Sequence, residues 1–154
     1  MITRQGLQPR NTFMALPPAQ DFDGSLRDSI SWGADGFPIA HAREAVRALL
    51  TRAGHPAHTQ TSQDAQLVVS ELVTNALRHA PGPGRLELGV TDDAQLLRIL
   101  VRDSSPQPPQ PQERDTTRPR GHGLFLATLL CTDLRTTTSD SGKDVTADFP
   151  LTPR

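Results

Sequence analysis

The sequence predicts an α+β protein, a two-layer sandwich with helices on one face of a mixed, mostly antiparallel sheet. Three features point to it. Several segments alternate apolar and polar residues with period two, and others repeat apolar residues near period 3.6. Their order is β-α-α-β-β-loop-α-β-β, so strands outnumber helices. Turn-sized gaps between strand segments mark hairpins.

Ser25–Trp32 sets Leu26, Asp28, Ile30 and Trp32 on one side, as in a strand with one buried face. From Phe37 to about Ala53, the residues Ile39, Ala42, Val46, Leu49 and Leu50 recur at helical spacing, and Gly54 follows as a stop. Thr61 or Ser62 can cap the next helix, with Asp64 in its first turn, where carboxylates are favoured. That helix runs to His79 or Ala80, where Pro81-Gly82-Pro83-Gly84 ends it. Arg85–Val90 and Leu96–Asp103 read as strands around a hairpin loop at Thr91–Gln95. Ser104–Arg120 holds five prolines in 17 residues, a long irregular loop of the kind that is often functional. Gly121-His122-Gly123 then opens a short apolar helix, Leu124–Leu130, and strands Leu134–Thr138 and Val145–Leu151 close the chain.

The 154 residues suit one domain at 25–154 behind a flexible, aperiodic segment at 1–24. With 35% hydrophobic residues the core is lean. A net charge of −1 gives no electrostatic footprint for direct nucleic-acid binding. No apolar run nears the ~20 residues of a membrane span, and MITRQGLQPRNTF has no apolar stretch of the signal-peptide kind. Cys131 is the only cysteine, which excludes an internal disulfide and fits a small core residue beside Leu129 and Leu130. A cytoplasmic location is expected. Lys143 is the one lysine against fifteen arginines, a bias ascribed to coding composition rather than to an arginine-built site.

The most informative stretch is Leu67–His79. Glu71, Asn75 and His79 stand four residues apart, so on a helix they form one stripe drifting by about 40° per step. Leu72, Val69, Ala76 and Val73 fall on the core side, while Ser70, Thr74 and Arg78 fall toward solvent. A carboxylate at a core border costs several kcal/mol unless it is paired or bound to an ion, which suggests a cleft wall. An ordinary amphipathic helix with a polar rim has the same spacing, so spacing alone leaves both open.

The segment Val69-Ser70-Glu71-Leu72-Val73-Thr74-Asn75-Ala76-Leu77-Arg78-His79-Ala80 resembles the N box of the gyrase, histidine-kinase and mismatch-repair ATPases. More narrowly, SELVTNALRHA is similar to the anti-sigma factor serine/threonine kinase branch. Val101-Arg102-Asp103 resembles the strand end with the adenine-reading Asp, Gly121-His122-Gly123-Leu124 the GxGL of the ATP-lid, and Gly142-Lys143-Asp144-Val145 the final GKT-type strand entry. The resemblance covers roughly Asp35 to Leu151 and implies a Bergerat-type fold that binds ATP and Mg²⁺.

By that resemblance Asn75 coordinates Mg²⁺ bridging the phosphates, as one of the few protein oxygens such an ion takes. Glu71 is either the general base or a carboxylate that orients metal-bound water. His79 contacts the phosphates or simply caps the helix end, and Asp103 accepts a hydrogen bond from the adenine N6 amine, which guanine lacks; a strand-end Asp in a turn is the plainer alternative. Gly121 and Gly123 let backbone approach phosphate oxygens ahead of a helix N-terminus, with Leu124 completing the box and His122 beside the phosphates.

Two departures stand out. Ser104-Ser105-Pro106 follows Asp103 where relatives often carry a glycine-rich run, and Asp144 takes the position assigned to a Thr near the adenine. The resemblance implies a serine/threonine kinase that phosphorylates an anti-sigma-antagonist protein, binds a sigma factor in the alternate state and, like many of the branch, forms a homodimer. The alternative is a catalytically weak or inactive nucleotide-binding module that sequesters its partner.

Overall fold

The computed structural model describes residues 26–33, 39–79, 82–104 and 123–151. Among these the elements run β1 (Arg27–Trp32), α1 (Ile39–Arg52), α2 (Gln60–His79), β2 (Gly84–Val90), β3 (Leu96–Asp103), α3 (Gly123–Leu130), β4 (Asp133–Ser139) and β5 (Gly142–Pro150). That is the order the sequence predicts. Segment 1–24, all but Ser104 of the proline-rich stretch, Gly121 and His122 lie outside the described residues.

The strands form one sheet in the order β1-β2-β3-β5-β4. Each pairing among them is antiparallel. Leu86, Leu88 and Val90 of β2, Leu97, Ile99 and Val101 of β3, and Val145, Ala147 and Phe149 of β5 are buried in one cluster with the helices. α1 contributes Ala42, Val46, Leu49 and Leu50, and α2 contributes Val68, Val69, Leu72, Val73 and Ala76. α2 lies over β3 and packs between α1 and α3. α3 is apolar but for Thr128, and among its described side chains only Ala127 is fully buried, while Phe125 and Leu129 are exposed. Cys131 is half-buried at the edge of this cluster.

Local chemistry sets the helix ends. Gly54 takes φ +94° after α1. The His55 amide donates to the Leu50 carbonyl at 2.8 Å and the Gly54 amide to Thr51 at 3.1 Å, the crossed bonds of a Schellman closure that favours glycine in the left-handed position. α2 begins earlier than the sequence suggests. Thr59, not Thr61 or Ser62, is its cap, accepting at Oγ1 from the Ser62 amide at 3.2 Å. Ser62 is fully buried, and Asp64 falls one turn further in, where it accepts from the Gln60 side chain at 2.7 Å. Ser70 also differs from expectation: it is buried, and its hydroxyl turns back to the Leu67 carbonyl at 3.1 Å.

The sheet face away from the helices is held by charge. Arg98 grips Asp148 through two bonds of 2.6 and 2.9 Å. Arg102 grips Asp144 through two of 2.5 and 2.7 Å. Between the two forks lies Leu100, which is 0% exposed. Burial alone would push the Asp148 carboxyl up, but the hydrogen bonds and charge of Arg98, joined by Arg135, hold it below the ordinary carboxylate range.

A lowered folded pKa contributes stability that is complete above the unfolded value of about 4 and is lost as pH falls through the folded value. Asp148→Asn is therefore expected to cost on the order of 1–3 kcal/mol at pH 7. Urea unfolding at pH 7 and pH 3 should show that difference shrinking in acid; an equal loss at both would remove the charge from the explanation.

Candidate functional site

The candidate site lies at the sheet end where α2 finishes and β3 finishes. Only residues 80–83 separate α2 from β2, so the last turns of α2 stay beside the start of β2. A hydrogen bond then ties this link to β3, as the Ser104 hydroxyl donates to the Pro83 carbonyl at 2.7 Å. The helix with the polar stripe and the strand ending in Asp103 thus share one end of the sandwich.

On α2, Glu71 and Asn75 are half-buried, one turn apart, between the buried row of Leu72, Val69, Ala76 and Val73 and the exposed Arg78. That is the border position their spacing indicates. Among the described residues neither side chain has a hydrogen-bond partner. His79 is the last residue of α2, and Gly123 and Leu124 are the first two of α3. The side chains of His79 and Leu124 lie outside what the structure describes, as do Gly121 and His122 altogether.

Asp103 extends the inward series of Leu97, Ile99 and Val101 at the end of β3, and it pairs in register with Lys143 at the start of β5. The Lys143 ammonium donates to Asp103 Oδ2 at 2.5 Å, with side chains 1% and 3% exposed respectively. A further close fit holds β5 against Asp103. Gly142 has φ +152°, and a Cβ there would stand 2.0 Å from the Asp103 carbonyl oxygen, so only glycine permits this approach. On the other side of Asp103, Gly84 pairs with Trp32, whose ring a Gly84 Cβ would meet at 2.3 Å. The indole therefore lies directly on Gly84.

One expectation at the strand entry is corrected. Asp144 does not face the site: it sits on the opposite sheet face, held by Arg102. Its neighbour Lys143 faces inward instead, and reading the residues for motifs missed it. The signal was available in parity, because Val145, Ala147 and Phe149 point to the core and Lys143 continues that series.

Among the described residues no group of three His, Cys, Asp or Glu side chains could cage a metal ion. Mg²⁺ fits nonetheless, because it usually takes one or two protein oxygens beside waters and phosphates. Asn75, half-buried and without a side-chain partner among the described residues, offers such an oxygen.

An antiparallel sheet with helices on one face, and a polar helix wall at one end, defines an α+β domain of the two-layer class. Residues 38–149 match the histidine kinase-like ATPase domain family, and the chain belongs to that family. Among solved structures it is similar to the RsbU and RsbW domains of Rv1364c from Mycobacterium tuberculosis, with 20% identity, a TM-score of 0.61, and 83% of this chain matched to 33% of that one. This chain thus spans about a third of that relative's length. It is also similar to the histidine kinase domain of the EL346 blue-light activated histidine kinase of Erythrobacter litoralis, with 25% identity, a TM-score of 0.47, and 86% of this chain matched to 69% of that one. No curated protein matches the chain. Among the described residues no helix is long and apolar enough to cross a membrane.

Gly142→Ala should destabilise the fold by on the order of 1–3 kcal/mol, because the new methyl meets backbone rather than a movable side chain. Chemical denaturation measures this. An unchanged midpoint would mean that β5 can draw away from Asp103 at no cost.

Proposed function

We propose that this chain is an ATP-dependent protein serine/threonine kinase of the anti-sigma type, acting in the cytoplasm on an anti-sigma-antagonist-like protein and binding a sigma factor in the alternate state. The observation that carries it is the pair Glu71 and Asn75. Both are half-buried, one turn apart and without side-chain partners among the described residues, on a helix tied to the strand that ends in Asp103. Membership of an ATPase-domain family makes ATP the expected nucleotide.

The residues divide the work by chemistry. Asn75 would hold Mg²⁺, which when bound offsets the phosphate charge. The backbone at Gly121 and Gly123, with His79 and His122, would line the phosphates ahead of the α3 N-terminus. Asp103 would accept from adenine N6. Glu71 would take the proton of the substrate hydroxyl while that oxygen attacks the γ-phosphorus. The bond from the γ-phosphorus to the bridging oxygen breaks, and ADP leaves. Catalysis of this kind rests on positioning and charge neutralisation more than on covalent chemistry.

One observation favours the alternative of a weak or inactive module that sequesters its partner. Asp103 is already engaged by Lys143, so the base end of the site is not waiting for a ligand.

Incubating the full chain with Mg²⁺ and γ-labelled ATP, together with a candidate antagonist protein, distinguishes the two. The kinase transfers label to a serine or threonine, and Glu71→Gln lowers the rate on the order of 10²-fold or more, as loss of a general base does. Asn75→Ala should fall at least as far. Transfer that persists in both variants removes this pair from the chemistry, whereas nucleotide binding without transfer supports sequestration.

A further inference from the structure

Lys143 and Asp103 form an ion pair with almost no exposure. Burying two charges carries a desolvation penalty that their attraction barely recovers, so such a pair is poor evidence of a stabilising device. Its position is more telling. Asp103 stands at the strand end where the family reads the base, and Lys143 lies beside it in the β3–β5 register, facing the same side. Gly142 presses the entry of β5 onto the Asp103 backbone, which fixes the ammonium next to the carboxylate. Trp32 over Gly84 covers β2 on the other side.

We propose that Lys143 is a specificity-determining residue that competes with the nucleotide base for Asp103. This rests on the nucleotide-binding function proposed above. A neutral N6 amine is a weaker donor to a carboxylate than an ammonium. To gain that contact, adenine must either displace Lys143 and leave a buried cation unpaired, or share a carboxylate whose charge the ammonium on Oδ2 has already offset. The base end therefore contributes little to affinity, and adenine is scarcely distinguished from guanine. Binding would lean on the triphosphate, for which Asn75 would supply the Mg²⁺ ligand.

Competition against a fluorescent ATP analogue, with Mg²⁺ present, tests this on the full chain. Wild type should bind ATP, GTP and inorganic triphosphate with Kd values within about threefold of one another. Lys143→Met keeps the bulk of the side chain and removes its charge; it should tighten ATP at least tenfold while leaving triphosphate unchanged. Asp103→Asn in the Lys143→Met background should cancel that gain, which a double-mutant cycle reads directly. Where Lys143→Met does not fold, wild-type selectivity decides: a preference for ATP over GTP above tenfold overturns the proposal. An ATP affinity that Lys143→Met leaves unchanged also overturns it, while nucleotide binding itself stands. Failure of wild type and folded variants to bind any of the three ligands sinks the nucleotide-binding function as well.

Discussion

β3 is the constraint on which the rest of the molecule depends. It is the central strand and has no exposed face. Its inward side carries Leu97, Ile99 and Val101 into the helix-covered core, and its outward side carries Arg98, Leu100 and Arg102. Because the side-chain period is two, a slip of one residue would send two guanidinium groups into the core and three aliphatic residues out of it. The two Arg–Asp forks to β5 lock the outward side against that slip. Register along β3 also decides which residue reaches its end facing the helices, and that residue is Asp103.

Positioning of the candidate site follows from this frame with few additional devices. The link between α2 and β2 is too short to let the polar stripe of α2 drift from the sheet end. The Ser104–Pro83 bond closes the remaining gap on the β3 side. Glu71 and Asn75 therefore sit on a rigid helix whose other faces are packed against α1, α3 and β3. Side chains on packed helices hold a geometry more closely than side chains on loops do, which suits chemistry that relies on placement.

Much of this was legible in the sequence. The apolar rows of α1 and α2 and the alternation in β2 and β3 were strong because long periodic segments constrain both type and face. The stripe at Glu71 and Asn75 emerged at the predicted border of the core for the same reason. What escaped were details set by neighbours in space. Thr59 caps α2 because the chain turns there, with its hydroxyl also bonded to the Pro56 carbonyl at 2.8 Å, and no local preference separates it from Thr61 or Ser62. Ser70 lies inside, its hydroxyl returned to the Leu67 carbonyl, a placement that helical spacing does not reveal. The motif match sets Asp144 near the adenine and gives Lys143 no role, an exchange of faces that arises because such a match aligns residues along the chain, whereas the pleat assigns neighbours to opposite faces.

That exchange changes the electrostatic character of the site. Each carboxylate that β3 and β5 bring into low-dielectric surroundings has a cation of its own, Asp148 with Arg98, Asp144 with Arg102 and Asp103 with Lys143. A folded chain without ligand needs this, because an isolated buried carboxylate is costly. The same solution would work against recognition at Asp103, where a ligand would meet a carboxylate already neutralised by an internal partner. At the α2 end no such solution is present among the described residues. Glu71 and Asn75 are half-buried and have no side-chain partner among the described residues. Stability and function are therefore divided along the site. The end that would face the phosphates keeps polar groups in reserve for a charged ligand, and the end that would face the base has already neutralised itself. In such a site the balance of affinity would lie with the phosphates.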